Sequence, residues 1–385
     1  LLVSHVALKN WRNFREVDVP LWEQTYIIGA NATGKSNFLD VFRFLKDVSK
    51  LQGGGLQKAV NDRGGMAKLR CLHARRDPAV QVELTFVEDF VNGAPAWRYQ
   101  LGFKRDAKHP EIVEITTEQV WRGSKQLLNR PTADDRRDPE RLRQTHLEQI
   151  QSNVDFRSIN EYFSNTTYLN LIPQLLKYND RMGGRRLDGD PFGQGFLEQL
   201  ARTNKKTREA RLSRMQKALI LAVPQFVELR LEHDKIDGRP HLEARYKHHR
   251  PNAEWQREDD FSDGTLRLIS LLWSLLEGSS LLLLEEPEIS LNDAIVQEIP
   301  LMIERVQRKS RHRRQIVVST HSEKLLSNPG IDGRGVLIIE PTSEGSIMRS
   351  PNSKENGYLR NGLSVADVML PKTRPGGAEQ LGLDL

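Results

Sequence analysis

Four short runs of residues could do chemistry together. The run Gly29-Ala-Asn-Ala-Thr-Gly34-Lys35-Ser36 matches G-x4-G-K-[ST] in full, where an apolar stretch (Tyr26–Ile28) meets a helical pattern. Its glycines let successive backbone N–H groups curl around a β-phosphate, and the following helix aims its positive end at the same place. Lys35 would bridge the β- and γ-phosphates and Ser36 would hold Mg²⁺. The candidate nucleotide ligands are therefore Gly29, Asn31, Ala32, Thr33, Gly34, Lys35, Ser36 and the adjoining Asn37. The second run, Leu281-Leu-Leu-Leu284-Glu285-Glu286-Pro287-Glu288, is an apolar stretch that ends in acids. Carboxylates at the C-terminal end of a parallel strand can hold Mg²⁺ and orient an attacking water, although alone they also make an acidic helix cap. The third run, Phe261-Ser262-Asp263-Gly264-Thr265, precedes the helical pattern LRLISLLWSLLE. Ser262 and Gly264 at a helix start form another anion-binding end. With one phosphate loop already in the chain, the phosphate bound by a second subunit is its natural target. In isolation Ser-Asp-Gly is a helix cap. The fourth is His321 in IVVSTHS, which can donate to a γ-phosphate oxygen and sense hydrolysis, where a lone strand-end His is commonly structural.

Such residues need a parallel sheet to bring them together. Residues 1–50 read as strands near 3–8 and 25–28, a turn, and a helix whose Phe38, Val41, Phe42 and Leu45 share a face. Three β-rich runs at 79–87, 96–103 and 111–121 follow a Gly-rich loop and read as an antiparallel meander. From 122 to 165 the chain turns polar, with a helical pattern from Pro139, and is expected to project from the core. A strand-like 166–172, a Gly- and Arg-rich loop at 179–195 and a charged helix at 196–222 come next, the last with Leu212, Met215 and Leu219 as its apolar stripe. The last third alternates apolar strands (281–284, 315–319, 335–340) with helices (265–277, 292–309), the pattern of an α/β fold with a parallel sheet covered on both faces. The expected divisions are 1–121, an inserted basic and largely helical lobe at 122–260, 261–345, and a C-terminal tail at 346–385. Neither an internal repeat nor a long heptad pattern is present.

Composition sets the outer bounds. A chain of 385 residues with 38% apolar and 28% charged residues folds as an ordinary globular protein, neither disordered nor fibrous. A formal charge of +6 permits nucleic-acid contact without demanding it. The single cysteine, Cys71, forms no internal disulfide and no zinc ligand set is spaced in the sequence, which favours a reducing, cytoplasmic setting. The most apolar stretch, 266–284, is interrupted by Arg267, Glu277 and Gly278, so no membrane span is expected. The N-terminal LLVSHVALKNWRNF lacks the layout of a signal peptide, and its starting at Leu reads as a missing initiator Met.

In this order the phosphate loop, the Ser-Asp-Gly-Thr signature, the LLLLEEPE strand and the STHS strand end resemble the ABC-type ATPase head shared by SMC, Rad50, RecF and OLD-family proteins. The opening LKNWRNFREVDVPL and the loop GANATGKSNFLD look like the RecF/OLD branch, whose members include AAA-ATPases of the abortive-infection type. The motifs cover about residues 1–50 and 260–340. The resemblance implies an ABC-ATPase head, a mixed or parallel sheet flanked by helices with a β meander and an inserted helical lobe. It also implies a homodimer sandwiching two ATP–Mg²⁺ between the phosphate loop of one subunit and the signature of the other. Carried over, Lys35 and Ser36 bind phosphate and metal, Glu285 takes the metal-side acid position, Glu286 the general base and His321 the switch, while Ser262 and Gly264 act in trans. Gln174, in YLNLIPQLL, resembles the glutamine that links the metal and γ-phosphate to the inserted lobe, or is simply a helix-start residue.

Two departures from the family pattern bear on function. Glu285-Glu286 stands where the family usually has Asp-Glu, and the extra methylene moves the first carboxylate by about 1.5 Å, enough to slow turnover. OLD proteins append a nuclease domain, whereas only about 45 residues follow the strand at 335–340 here, with no D-x-D cluster. The resemblance therefore implies an ATP-dependent sensor or clamp that controls a separate effector, such as a nuclease, in anti-phage defence. Double-stranded DNA is a candidate partner through Arg181/Arg185/Arg186, 202–217 and Arg311/Arg313/Arg314, clusters that could equally be solvated faces. The alternatives are a RecF-like DNA-repair ATPase and a non-hydrolysing ATP-dependent scaffold. A transporter ATPase suits the meander and the opening LKNWRNF less well.

Overall fold

The computed structural model describes residues 1–75, 77–91, 93–178, 190, 192–247, 255–309 and 314–373. Along the chain its strands are β1 (Leu2–Trp11), β2 (Phe14–Pro20), β3 (Gln24–Gly29), β4 (Val80–Val87), β5 (Trp97–Arg105), β6 (Val113–Arg122), β7 (Lys125–Arg130), β8 (Thr167–Leu169), β9 (Phe226–His233), β10 (Pro240–Tyr246), β11 (Gln256–Arg257), β12 (Leu282–Glu285), β13 (Ile316–Thr320), β14 (Val336–Thr342) and β15 (Gly345–Arg349). Twelve of them form one sheet in the order β7-β6-β5-β4-β1-β2-β15-β14-β3-β13-β12-β8, and β11-β10-β9 form a second. The large sheet is mixed. β3 runs parallel to both β13 and β14, whereas β1, β2 and β4 to β7 pair antiparallel along the chain. This is the α/β architecture expected from the sequence, and the reason is visible in burial. Tyr26, Ile27 and Ile28 of β3, and Val336 to Ile339 of β14, are all buried, as strands covered on both faces must be. In β4 the core takes alternate residues, Val80, Val82, Leu84 and Phe86.

The chain divides into two compact units, 1–167 with 279–283 and 310–385, and 168–278 with 284–309. In the first unit the helix Lys35–Ser49 buries Phe38, Leu39, Val41, Phe42, Phe44, Leu45 and Val48, more of its circumference than the single face anticipated. The segment 122–165 does not project from the core, which corrects the expectation from its polarity. Its buried cation is satisfied within the protein: Arg130 pairs with Glu118 at 2.9 Å and Asp135 at 3.0 Å and donates to the carbonyls of Arg141 and Gln144. Leu147, Phe156, Ile159 and Phe163 are buried beyond it, and the helical pattern at Pro139 is one 3-10 turn, Pro139–Arg143. Where a C-terminal tail was expected from 346, the described residues form the end of β15 and helices Ser353–Arg360 and Val365–Thr373.

The second unit has its own core. Leu212, Met215 and Leu219, the stripe read from the sequence, pack in a cluster with Leu197, Phe226, Leu229, Leu242, Phe261, Ile269 and Trp273. The charged helix is broken in two, Phe196–Arg202 and Lys205–Ala222, because Asn204 caps the second piece by accepting from the Lys206 N–H. The antiparallel β9–β10–β11 sheet within the inserted segment was not anticipated. The alternation in VELRLEH and HLEARY is short and interrupted by charge on both faces.

Candidate nucleotide-binding site

The phosphate-loop residues and His321 belong to the first unit. β3 lies between two parallel partners, with Ile28 level with Thr320 of β13 and Gly29 level with Ile339 of β14. The chain leaves β3 at the carboxyl edge of three parallel strands, where α/β sheets bind ligands. It turns tightly, since the Thr33 hydroxyl and N–H both donate to the Ala30 carbonyl, at 2.8 and 3.4 Å. Ala32 (φ 64°) and Gly34 (φ 112°) adopt left-handed backbone. A Cβ on Gly34 would lie 2.4 Å from Asn13 Nδ2, and one on Gly29 2.5 Å from Thr33 Oγ1, so a side chain at either place would have to displace the Asn13 amide or the Thr33 hydroxyl. The helix opens with the Phe38 N–H donating to the Gly34 carbonyl, and no acid in its first turn opposes its positive end. Lys35 folds back over this loop, its Nζ donating to the carbonyls of Gly29 (2.9 Å) and Ala30 (3.3 Å). Asn31, Ala32 and Ser36 are exposed and Thr33 is buried, while the Asn37 amide donates to Asn13 Oδ1 at 2.8 Å. His321 follows β13 directly, one residue beyond the level of Ile28, and is exposed.

The remaining candidates lie in the second unit. Glu285 ends β12 and its Oε2 accepts from the Tyr168 hydroxyl, to which the Asn170 amide donates in turn at 3.3 Å. Glu286 takes φ 43°, an unusual conformation for a non-glycine residue and one that recurs at functional turns. Ser262 caps the helix Asp263–Leu276, accepting from the Thr265 N–H at 3.1 Å. Gly264 passes so close to the Ser290 carbonyl that a Cβ would sit 2.5 Å from it. Gln174 is brought to this signature: its amide donates to Asp263 Oδ2 at 2.7 Å while Lys177 Nζ donates to Oδ1 at 2.8 Å. Lys177 and Gln174 hold the Asp263 carboxyl below its ordinary range.

Several contributors were not singled out from the sequence. Asn13 and Tyr168 lie inside the segments LKNWRNFREVDVPL and YLNLIPQLL without being picked out there, and nothing in its spacing marks Lys177. Arg267 lines a small cleft with Leu271, Glu285 and Pro287 and has a buried Nε without a hydrogen-bond partner. Burial pulls its guanidinium down from the usual arginine value, against the fields of Asp263 and Glu286. The basic clusters fare unevenly. Arg181, Arg185, Arg186, Arg311 and Arg313 lie outside the described residues. Arg314 is buried and donates to the Ser280 carbonyl at 2.6 Å, so it is no free surface charge. Within 202–217, Arg208 binds the Ala201 carbonyl and Arg211 stacks on Trp273, leaving Arg202, Lys205, Lys206, Arg214 and Lys217 exposed.

Residues 25–327 match the family described as "AAA domain, putative AbiEii toxin, Type IV TA system". The chain belongs to this family. The match runs from β3 through the phosphate loop to just past His321, so it contains every candidate site residue. Among solved structures the chain is similar to an SMC head bound to the C-winged helix domain of ScpA, at 14% identity and a TM-score of 0.54, over 92% of this chain and all of that one. It is also similar to the SMC head with an extended coiled coil bound to the C-terminal domain of ScpA from Pyrococcus furiosus (12%, TM-score 0.50, 94% and 98% covered). The SMC head with coiled coil and joint from Pyrococcus yayanosii gives 11%, 0.50, 94% and 99%. At these identities the similarity is one of fold, that of an ATPase head. No curated protein matches the chain by sequence. Among the described residues no helix is long and apolar enough to cross a membrane.

The residues present fit a nucleotide and its Mg²⁺. Left-handed backbone at Ala32 and Gly34, a helix start free of acids and a lysine over the loop suit a polyphosphate. Among the described residues no cluster of three or more His, Cys, Asp or Glu could hold a metal alone. Mg²⁺ commonly needs only one or two protein oxygens when the phosphates supply the rest.

Proposed function

We propose that the protein is an ABC-type ATPase that binds and hydrolyses ATP in a cytoplasmic setting. The observation that carries this reading is the phosphate loop itself: Gly34 at φ 112° at the start of a buried helix, with Lys35 folded back over the turn. In it the backbone N–H groups from Asn31 to Ser36 take the phosphates, and Lys35 exchanges its loop carbonyls for phosphate oxygens. Ser36 and Glu285 would hold Mg²⁺, which supplies charge neutralisation on the phosphates, with Gln174 reaching it once released from Asp263. As water attacks the γ-phosphorus and the bond to the β–γ bridging oxygen breaks to release ADP, Glu286 would take the water's proton and His321 would donate to a γ-phosphate oxygen. Ser262 and Gly264 receive the phosphate of a second copy, which makes the working unit a head-to-head homodimer.

The same reading takes the ATP-driven dimer to be a sensor or clamp that controls a separate effector protein, such as a nuclease, in anti-phage defence. Family membership supports that direction, and the exposed Lys205, Lys206, Arg214 and Lys217 support contact with double-stranded DNA. A non-hydrolysing scaffold is the second reading, favoured by the Tyr168 hydroxyl already engaged on Glu285.

The test is ATP turnover by the wild type beside Lys35→Ala and Glu286→Gln, with and without duplex DNA. Loss of turnover in both variants is the expected result, and stimulation by DNA would support the clamp. Turnover unchanged by Lys35→Ala would sink the ATPase reading. ATP binding without turnover in the wild type would leave the scaffold.

A further inference from the structure

Asn13, in the turn between β1 and β2, touches the phosphate loop and a distant hairpin at once. Its Nδ2 donates to the Thr33 carbonyl at 2.6 Å and to Ser346 Oγ at 2.9 Å. Its Oδ1 accepts from the Asn37 amide at 2.8 Å, and its own carbonyl accepts from the Ser346 N–H at 2.9 Å. Each polar atom of the side chain therefore has a partner, and Asn37 is fixed in turn by the Trp11 indole, which donates to its carbonyl at 2.7 Å.

We propose that Asn13 is the positioning residue of the phosphate loop and that it couples the β14–β15 turn to nucleotide affinity. A peptide unit is planar and trans, so its C=O and N–H point in opposite directions. By holding the Thr33 carbonyl on its own side, Asn13 turns the Gly34 N–H to the other side, into the cradle where a phosphate would be received. That donor is then aimed before the ligand arrives, and binding need not spend energy on turning it. The hairpin joins through Gly345, which has φ 108° and packs so closely on the Asn13 carbonyl that no Cβ fits. The turn lies at the surface, where the Glu344 carboxylate pairs with Arg15 and Arg75. A ligand or protein that moved this turn would shift Asn13, and with it the Gly34 donor.

The inference rests on the nucleotide reading, and the experiment separates the two. Equilibrium binding of a fluorescent ATP analogue with Mg²⁺ is measured for wild type, Lys35→Ala, Asn13→Ala, Asn13→Asp, Gly345→Ala and the Asn13→Ala/Gly345→Ala double variant, with melting temperatures taken without nucleotide. Asn13→Ala removes the bond to the Thr33 carbonyl together with those to Ser346 and Asn37, and is expected to raise Kd about five- to tenfold, felt in KM rather than kcat. Asn13→Asp, which sets a carboxylate against the Thr33 carbonyl, is expected to weaken binding more. Gly345→Ala should weaken it although it lies outside the loop, and the double variant should be no weaker than the worse single one. A folded Asn13→Ala protein with wild-type Kd, or full additivity with Gly345→Ala, overturns the proposal. If Asn13→Ala does not fold, Ser346→Ala and Gly345→Ala carry the same test. Wild type binding no better than Lys35→Ala would instead remove the nucleotide reading, and this proposal with it.

Discussion

Arg63 grips Asp40 from behind the helix that follows the phosphate loop, its Nε 3.0 and 3.1 Å from the two carboxylate oxygens and its Nη2 2.9 Å from Oδ1. Arg12 reaches the same carboxylate from the β1–β2 turn at 2.6 Å. Burial pushes the Asp40 carboxyl up, but the two guanidinium groups outweigh it and hold it below the ordinary carboxylate range. Asp40→Asn leaves two arginines partly buried against a neutral amide, and is expected to cost about 3 kcal/mol of stability. A depressed carboxylate contributes stability that is present above its unfolded pKa, about 3.9, and is lost as pH falls through the folded value. The wild type should therefore lose melting temperature faster than Asp40→Asn on acidification below about pH 4, and parallel curves would count against this assignment.

Glu148 titrates in the opposite sense. Burial pushes its carboxyl up to about 7, against hydrogen bonds from the Leu56 and Thr145 N–H groups and with Glu118 nearby adding to the rise. An acid raised on folding contributes stability that is fully present below its unfolded pKa and fades as pH rises through the folded one. Melting temperature followed from pH 5.5 to 8.5 should fall more in the wild type than in Glu148→Gln. Identical slopes would mean that Glu148 is already ionised across this window.

Two helical glycines should respond to alanine with opposite signs. Alanine favours a helix by about 1 kcal/mol over glycine. At Gly357, in the helix Ser353–Arg360, nothing lies near the added Cβ, so Gly357→Ala should be neutral or stabilising. At Gly264 the Cβ meets the Ser290 carbonyl, which is backbone and cannot swing aside. Overpacking of about 1–3 kcal/mol outweighs the propensity gain, so Gly264→Ala should lower the melting temperature. It should also lower ATP turnover by shifting the start of the signature helix. A Gly264→Ala protein as stable and active as the wild type would show that the two segments separate freely.

Tyr168 sets the orientation of Glu285 through its hydroxyl. Tyr168→Phe keeps the ring and removes only the hydroxyl that donates to Glu285. If Glu285 helps hold Mg²⁺ as proposed, turnover should fall about tenfold with ATP affinity little changed, because the bond lost would serve metal placement rather than phosphate capture. An increase in turnover would instead identify Tyr168 as a restraint on the acid.

Local sequence alone specified the features whose partners are a few residues apart. The phosphate loop is legible because its glycines, lysine and hydroxyl are consecutive and their conformations are set within one turn, as Gly34 and the Thr33–Ala30 bonds show. β3, β12, β13 and β14 are legible because strands covered on both faces must be apolar throughout. The signature cap at Ser262 is a bond across three residues. Tertiary structure decided what depends on pairing across long stretches of chain. Polarity suggested that 122–165 would stand in solvent, yet Arg130 is buried there because Glu118, Asp135 and two carbonyls satisfy it. Asn13 meets Ser346 because β15 runs parallel beside β2 in the sheet, a neighbourhood that no periodicity encodes. Gln174 likewise reaches Asp263 across 89 positions of chain, a contact fixed by the packing of the second unit's core and not by either residue's neighbours in sequence.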